Sequence, residues 1–261
     1  QRAGCREHAK GTLAMFTAVQ RRHGYNGPAA LRENRVEQKS AMEGASARWP
    51  ARMWIVRHGQ SAGNVARDHA EAHGVALIDL EHRDADVPLS RLGEQQSQAL
   101  GAWMAARPAE EQPQIVLVSP YVRARQTAQA VCDALSPDRV RMIVDERLRE
   151  KEFGVLDRYT SAGIVATFPE LAEQRKLVGK FYFRPPGGES WCDVILRLPG
   201  VVGDLQQSHA GARVLIVAHQ VIVNCMRYLI ECLDERAILD IDKLADVTNC
   251  SVTEYGFRGE H

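Results

Sequence analysis

The feature that most constrains this chain is a set of short apolar runs placed far apart. Met53-Trp54-Ile55-Val56, Ile115-Val116-Leu117-Val118 and Val214-Leu215-Ile216-Val217-Ala218 contain no charged or strongly polar residue. Runs this short and this apolar have no solvent face, which is the condition of a strand covered on both sides in a parallel sheet. A further strand reads over 140–144, and a last one, at an edge, over 251–257. Helical spacing lies between them. It covers about 63–73, then runs from an N-cap at Ser90 through Leu92, Leu100, Trp103 and Met104 to Pro108, then 121–135, and later 219–233. Strands alternating with helices predict an α/β fold, a three-layer α/β/α sandwich around a mostly parallel sheet.

The regular texture begins at Met53. Residues 1–51 are rich in Arg, Ala, Gly and Gln with poor periodicity, and read as an N-terminal extension, loosely ordered or non-native. Residues 52–261 read as one domain. Composition serves here to exclude. Formal net charge is zero, so no global field draws the chain to nucleic acid or an anionic membrane, while a local arginine cluster can still hold a small anion. No apolar run approaches the roughly 20 residues of a membrane span. The six cysteines (5, 132, 192, 225, 232 and 250) are scattered without a Cys-x-x-Cys pair, and read as reduced thiols of a cytoplasmic protein. His69 and His73 have a zinc-like spacing. The adjacent glutamate and a third ligand are missing, so they read as surface histidines, and no metal site is expected.

Three of the apolar strands run straight into residues suited to an anion. The first ends in Arg57-His58-Gly59, with Asn64 shortly after. The second ends in Ser119-Pro120 and leads to Arg123. The later one ends in Ala218-His219-Gln220. Ligands of an open α/β sheet bind just beyond the carboxyl ends of its strands. If these strands are neighbours, two arginines and two histidines converge, an anion holder beside a nucleophile or proton carrier.

In order and context these motifs resemble the histidine phosphatase superfamily, also called the phosphoglycerate-mutase-like family. The resemblance rests on Arg57-His58-Gly59 with Asn64, on Pro88-Leu89-Ser90-x-x-Gly93, on the Ser-Pro-x-x-Arg-x-x-x-Thr-Ala run over 119–128, and on the strand-terminal His219. It spans about 53–257 and implies a phosphoglycerate-mutase-like fold and a phosphohistidine mechanism without metal or other cofactor. His58 would be the nucleophile, its other ring nitrogen held by a carbonyl. Arg57 and Arg123 would bind phosphoryl oxygens, Asn64 would donate from its amide, and His219, if protonated, would add charge. In Leu148-Arg149-Glu150-Lys151-Glu152-Phe153-Gly154, Glu150 matches the family's proton donor by position. Glu146 and Glu152 remain rivals on chemistry alone.

The stretch 180–190, with Tyr182, Arg184, Pro185, Pro186, Gly187 and Gly188, resembles the phosphatase branches of the superfamily, including the fructose-2,6-bisphosphatase domains and the broad-range acid phosphatases. Glu189 and Ser190 read as the start of a helix. His219-Gln220 also looks like those branches, and the mutases' Phe-Thr-Gly-Trp segment is absent from 65–87. Tyr182, Arg184 and Gln220 are expected to contact substrate. The expectation is therefore a phosphomonoester hydrolase acting on a small phosphorylated metabolite, with no nucleic-acid or membrane partner. A phosphoglycerate mutase and a non-catalytic phospho-ligand binding module are the alternatives.

Overall fold

The computed structural model describes residues 49–256, so all but the last three residues of the extension read over 1–51 lie outside it, as does Cys5. The described chain runs β1 (Arg52–Arg57), α1 (Ala62–Ala72), α2 (Arg91–Ala105), β2 (Ile115–Val118), α3 (Val122–Ala134), β3 (Arg141–Val144), α4 (Ser161–Thr167), α5 (Pro169–Val178), α6 (Trp191–Arg197), α7 (Pro199–Gln207), β4 (Arg213–Ala218), α8 (Gln220–Ile230), α9 (Glu235–Leu244) and β5 (Val252–Gly256). One sheet results, ordered β3-β2-β4-β1-β5, parallel throughout except for the edge strand β5.

Strand alternation splits the core into two layers. Met53, Ile55, Leu117, Val214 and Ile216 face one side and pack with Val194 of α6, Val201 and Leu205 of α7, and Ile222 and Met226 of α8. Trp54, Val56, Val116, Val118, Leu215 and Val217 face the other and pack with Leu100 and Met104 of α2 and Ala124, Ala128 and Val131 of α3. Both faces are dry, as the apolar runs require, and each fully buried aliphatic side chain contributes about 1.5–3 kcal/mol. The fold is the expected sandwich around a mostly parallel sheet.

Register positions the site. Arg57 lies opposite Ala218, and Val118 opposite Val217. The ladder continues one step past the strands: His58 N donates to the Ala218 carbonyl at 2.9 Å, and Ser119 N to that of Val217 at 3.1 Å. The residues after β1, β2 and β4 are therefore brought side by side.

The Pro88-Leu89-Ser90-x-x-Gly93 motif has a steric reason. Ser90 Oγ caps α2 by accepting from Gly93 N at 3.1 Å and donates to Gln60 Oε1 at 2.7 Å. A Cβ on Gly93 would stand 1.9 Å from the Gln60 carbonyl oxygen, and one on Gly59 would stand 2.5 Å from that of Gly93. The first turn of α2 thus lies directly on the loop that carries His58.

Ser190 caps α6 through a capping box with Asp193, so the helix start read at 189–190 is met. Helices α4, α5, α7 and α9 are additions to the sequence reading. α5 has no buried residue, which explains why no apolar stripe announces it. Among the described residues no helix is long and apolar enough to cross a membrane. His69 and His73 are exposed and stack on each other at 4.1 Å.

Candidate active site

His58 sits one residue beyond β1 and is 3% exposed. Its Nδ1 lies 2.7 Å from the Gly59 carbonyl. A carbonyl only accepts, so Nδ1 carries the proton and Nε2 keeps its lone pair. Arg123, in the first turn of α3, donates from Nε to that Nε2 at 3.2 Å, which agrees with this tautomer. Burial, then the charge of Arg123 and of Arg57, holds the His58 pKa well below the usual value, outweighing the Gly59 hydrogen bond. The imidazole is neutral, with the Nε2 lone pair turned toward Arg123.

Arg57 and Arg123 are both almost fully buried. Arg57 Nη1 donates to the Val247 carbonyl, while its Nε has no hydrogen-bond partner. Arg123 is paired with Asp84, which sits at the start of a 3-10 turn, Asp84–Asp86. His219, fully buried, stands edge-on to His58 with ring centroids 5.1 Å apart. Its Nε2 is 2.7 Å from Ser119 Oγ, and its Nδ1 is unpartnered. Burial comes first, and then Arg123, His58 and Arg57, in pushing the His219 pKa well down. His219 is thus neutral in the free protein, where the sequence allowed a charged form. Two buried polar atoms of the residues around His58, Arg57 Nε and His219 Nδ1, are therefore without a hydrogen-bond partner. A buried polar atom without a partner costs about 1–3 kcal/mol; the Arg57 Nε–H is a donor that an anion's acceptor oxygens satisfy, and His219 Nδ1 is one when it carries the ring proton.

Asn64 forms a capping box with Ser61 at the start of α1, its Oδ1 accepting from Ser61 N at 3.1 Å and from Asn249 Nδ2 at 3.3 Å. With Oδ1 engaged, Nδ2 is the end left to donate. Asn249 also donates to the His58 carbonyl at 2.9 Å. The loop before β5 thus supplies Val247 and Asn249 to hold Arg57 and Asn64. Neither has a local signal in the sequence, because the backbone carbonyl lies 190 residues from Arg57 and the lone asparagine 191 residues from His58.

Glu150 lies half-buried on the loop after β3. Burial raises its pKa first; the Lys151 amide hydrogen bond, Arg123 and Arg57 pull it down, and Asp84 pushes it up. Arg197 of α6 fastens this loop. Its Nη2 donates to the carbonyls of Arg149 at 2.8 Å and Glu150 at 3.2 Å, its Nη1 to that of Arg147, and its Nε to Glu189 Oε1 at 3.0 Å. Glu189 in turn accepts from Glu152 N at 3.0 Å. Of the rivals, Glu152 accepts from the hydroxyl of Tyr121, whose ring stands edge-on to His219, at 3.2 Å, and exposed Glu146 opens a 3-10 turn.

Three expected substrate contacts are placed differently. Gln220, at the start of α8, turns its Nε2 to Asp246 Oδ1 at 2.8 Å, on the rim. Tyr182 is 54% exposed and hydrogen-bonds Glu235. Arg184 pairs with Asp193, where Nε donates to Oδ2 at 2.7 Å, and so braces the cap of α6. Tyr182 and Arg184 are thus held by carboxylates of α9 and α6 rather than brought into the buried cluster, because each finds a nearer counter-charge or acceptor. Among the described residues no group of three or more His, Cys, Asp and Glu is arranged to hold a metal ion.

The profile of the histidine phosphatase superfamily (branch 1) matches residues 53–261. A 6-phosphofructo-2-kinase/fructose-2,6-bisphosphatase of Caenorhabditis elegans is 31% identical over 68% of this chain, and the chain spans only 33% of that protein's length. A protein of Enterobacter sp. (strain 638), named "Probable phosphoglycerate mutase GpmB", is 28% identical over 79% of this chain and 85% of its own. Among solved structures, a mycobacterial glucosyl-3-phosphoglycerate phosphatase superposes with a TM-score of 0.60 at 26% identity, covering 78% of this chain and 89% of that one. The alpha-ribazole phosphatase of Shigella flexneri, at 20% identity and a TM-score of 0.62 over 78% of this chain and 89% of its own, shares the fold. These relatives are phosphatases and mutases, enzymes of phosphoryl transfer, and the chain belongs to the histidine phosphatase superfamily, branch 1.

Proposed function

We propose that this protein hydrolyses a phosphomonoester of a small metabolite through a phosphohistidine on His58. The observation that carries the reading is the fixed tautomer of His58. The Gly59 carbonyl holds the Nδ1 proton, and Nε2 presents its lone pair amid Arg57, Arg123 and His219. Nε2 attacks phosphorus without prior deprotonation, and the bond to the leaving oxygen breaks. Arg57 and Arg123 neutralise the equatorial oxygens, and His219 and Asn64 add donors, so charge is stabilised where it develops. Glu150, its pKa raised by burial, gives the proton to the leaving oxygen. In the second half Glu150 takes a proton from water, water attacks phosphorus, the P–N bond breaks, and His58 is restored.

Water as the acceptor is supported by His219-Gln220 and by the 180–190 stretch, which resemble the phosphatase branches. Transfer to a second substrate is the other reading, favoured by the relative named for mutase activity. A cytoplasmic place of action belongs to the proposal and is supported by the five free cysteines among the described residues. The test combines phosphate release from a panel of phosphorylated metabolites with acid-quench-sensitive, base-stable labelling of the protein. Phosphate is expected from the wild type, with label on His58 and none on His58→Asn. Label on another residue defeats the mechanism, and isomerised product without free phosphate defeats the hydrolase assignment.

A further inference from the structure

The Arg123 guanidinium is already occupied. Its Nη2 donates to Asp84 Oδ2 at 3.1 Å, its Nη1 stands 3.1 Å from Asp84 Oδ1 and donates to the Asp84 main-chain carbonyl, and its Nε donates to His58. The cation nearest the nucleophile is thus clamped between the nucleophile and a carboxylate. Carboxylate and phosphoryl oxygens use the same planar fork of donors, so both cannot hold the same face of Arg123.

Asp84 belongs to a segment pinned from the far side. Arg158, at φ 63°, donates to the carbonyls of Leu80 at 2.8 Å and His82 at 2.7 Å. Its own carbonyl accepts from Ile78 N at 2.7 Å, and Leu77 forms an antiparallel bridge with Tyr159. These ties hold the backbone of the segment. The Asp84 side chain is 40% exposed while its arginine partner is 6% exposed, so the carboxylate can swing to solvent without unfolding what carries it. Asp86, two residues on, pairs with Arg83 at the surface instead.

Resting on the phosphoryl-transfer reading above, we propose that Asp84 is a resident competitor for Arg123: the phosphoryl group enters by displacing this carboxylate, and the carboxylate returns as inorganic phosphate leaves. Asp84 therefore sets the anion affinity of the site, weakening the hold on product. It does so by occupying the ligand, not by supplying one. The same negative charge faces Glu150 and Asp157, and favours the protonated form of the acid until substrate pushes it aside.

Asp84→Asn removes the charge and keeps the shape and the main-chain carbonyl. If Asp84 only holds Arg123 in place, its loss weakens phosphate binding. If it competes, its loss strengthens it, so the two roles differ in sign. The measurement is calorimetric binding of inorganic phosphate to the full chain, with KM and kcat for p-nitrophenyl phosphate. Asp84→Asn and Asp84→Ala are expected to bind phosphate about tenfold tighter, the loss of one charge-assisted competitor, and to lower KM without raising kcat. Asp86→Asn is expected to stay within about twofold of wild type. Equal or weaker binding in both Asp84 variants overturns the inference, while phosphate release by the wild type continues to support the proposed function. A wild type that neither binds nor releases phosphate overturns both.

Discussion

Arg197→Met tests whether α6 holds the loop that carries Glu150. The arginine side chain is 13% exposed and spans the loop, donating to the carbonyls of Arg147, Arg149 and Glu150 and to Glu189, itself 13% exposed. Methionine keeps much of the stem and removes every donor. Charge-assisted hydrogen bonds contribute about 1.5–3 kcal/mol each, but these share one side chain and do not add. Breaking a buried pair costs about 3–5 kcal/mol; this pair is part-buried and Glu189 retains Arg149 at 3.1 Å, so no more than the lower end applies, about 3 kcal/mol. At roughly 2–4 °C per kcal/mol for a domain of this size, Tm falls by about 10 °C, read by circular dichroism. Function falls with it. A shift of Glu150 by about 1 Å costs on the order of a hundredfold in kcat on an alkyl phosphate. Glu189→Gln combined with Arg197→Met should lose less than the sum of the two singles, because both remove the same bonds. A Tm within 2 °C of wild type together with unchanged kcat would refute the assignment of loop order to Arg197.

Three further outcomes follow from the geometry. Glu150→Gln should slow alkyl phosphates by about 10²–10⁴-fold and p-nitrophenyl phosphate far less, since only the poor leaving group needs a proton; equal losses on both substrates would count against Glu150 as the acid. Gly93→Ala places a methyl 1.9 Å from the Gln60 carbonyl, so urea unfolding should show a loss of about 1–3 kcal/mol with reduced activity, whereas a wild-type midpoint would mean that the α2 contact is loose. His58 and His219 both have folded pKa values below the ordinary one near 6.5, so the unfolded chain takes up protons first. Stability is full above about pH 6.5 and is lost as pH falls below it. Glu150, raised, acts oppositely, contributing below about pH 4.3 and losing that as pH rises through its folded value. With two histidines against one carboxyl, the urea midpoint should drop between pH 7.5 and 5.5, and a rise would contradict the burial argument.

The parts of this molecule legible in its sequence are those with a one-dimensional signature. β1, β2 and β4 are buried on both faces and so lack polar interruptions, and each ends where the chain turns to Arg57, Ser119 or His219. Adjacent register then makes a site of three local motifs. Contacts set by direction or by distant partners were not legible. Tyr182 and Arg184 sit on a stretch of suggestive composition, but composition does not say where a side chain points, and Glu235 and Asp193 capture them. Asp84 reads as one acid in a polar loop until folding puts Arg123 against it. Helices α4 and α5 lie outside the core and therefore carry no stripe to read.

The pairing of β1 with both β4 and β5 has a consequence for the order in which the enzyme comes into being. During synthesis Arg57 and His58 emerge first and wait for most of the chain. By the time β4 is made, both histidines and both arginines exist and can dock. Yet the acceptor for Arg57 and the amide that orients Asn64 come from Val247 and Asn249, just ahead of β5. A nascent chain, or a fragment cut before residue 246, would carry His58 without its finished cradle. The short strand β5 thus brings in the last pieces of that cradle, Val247 and Asn249, as it closes the edge of the sheet against β1.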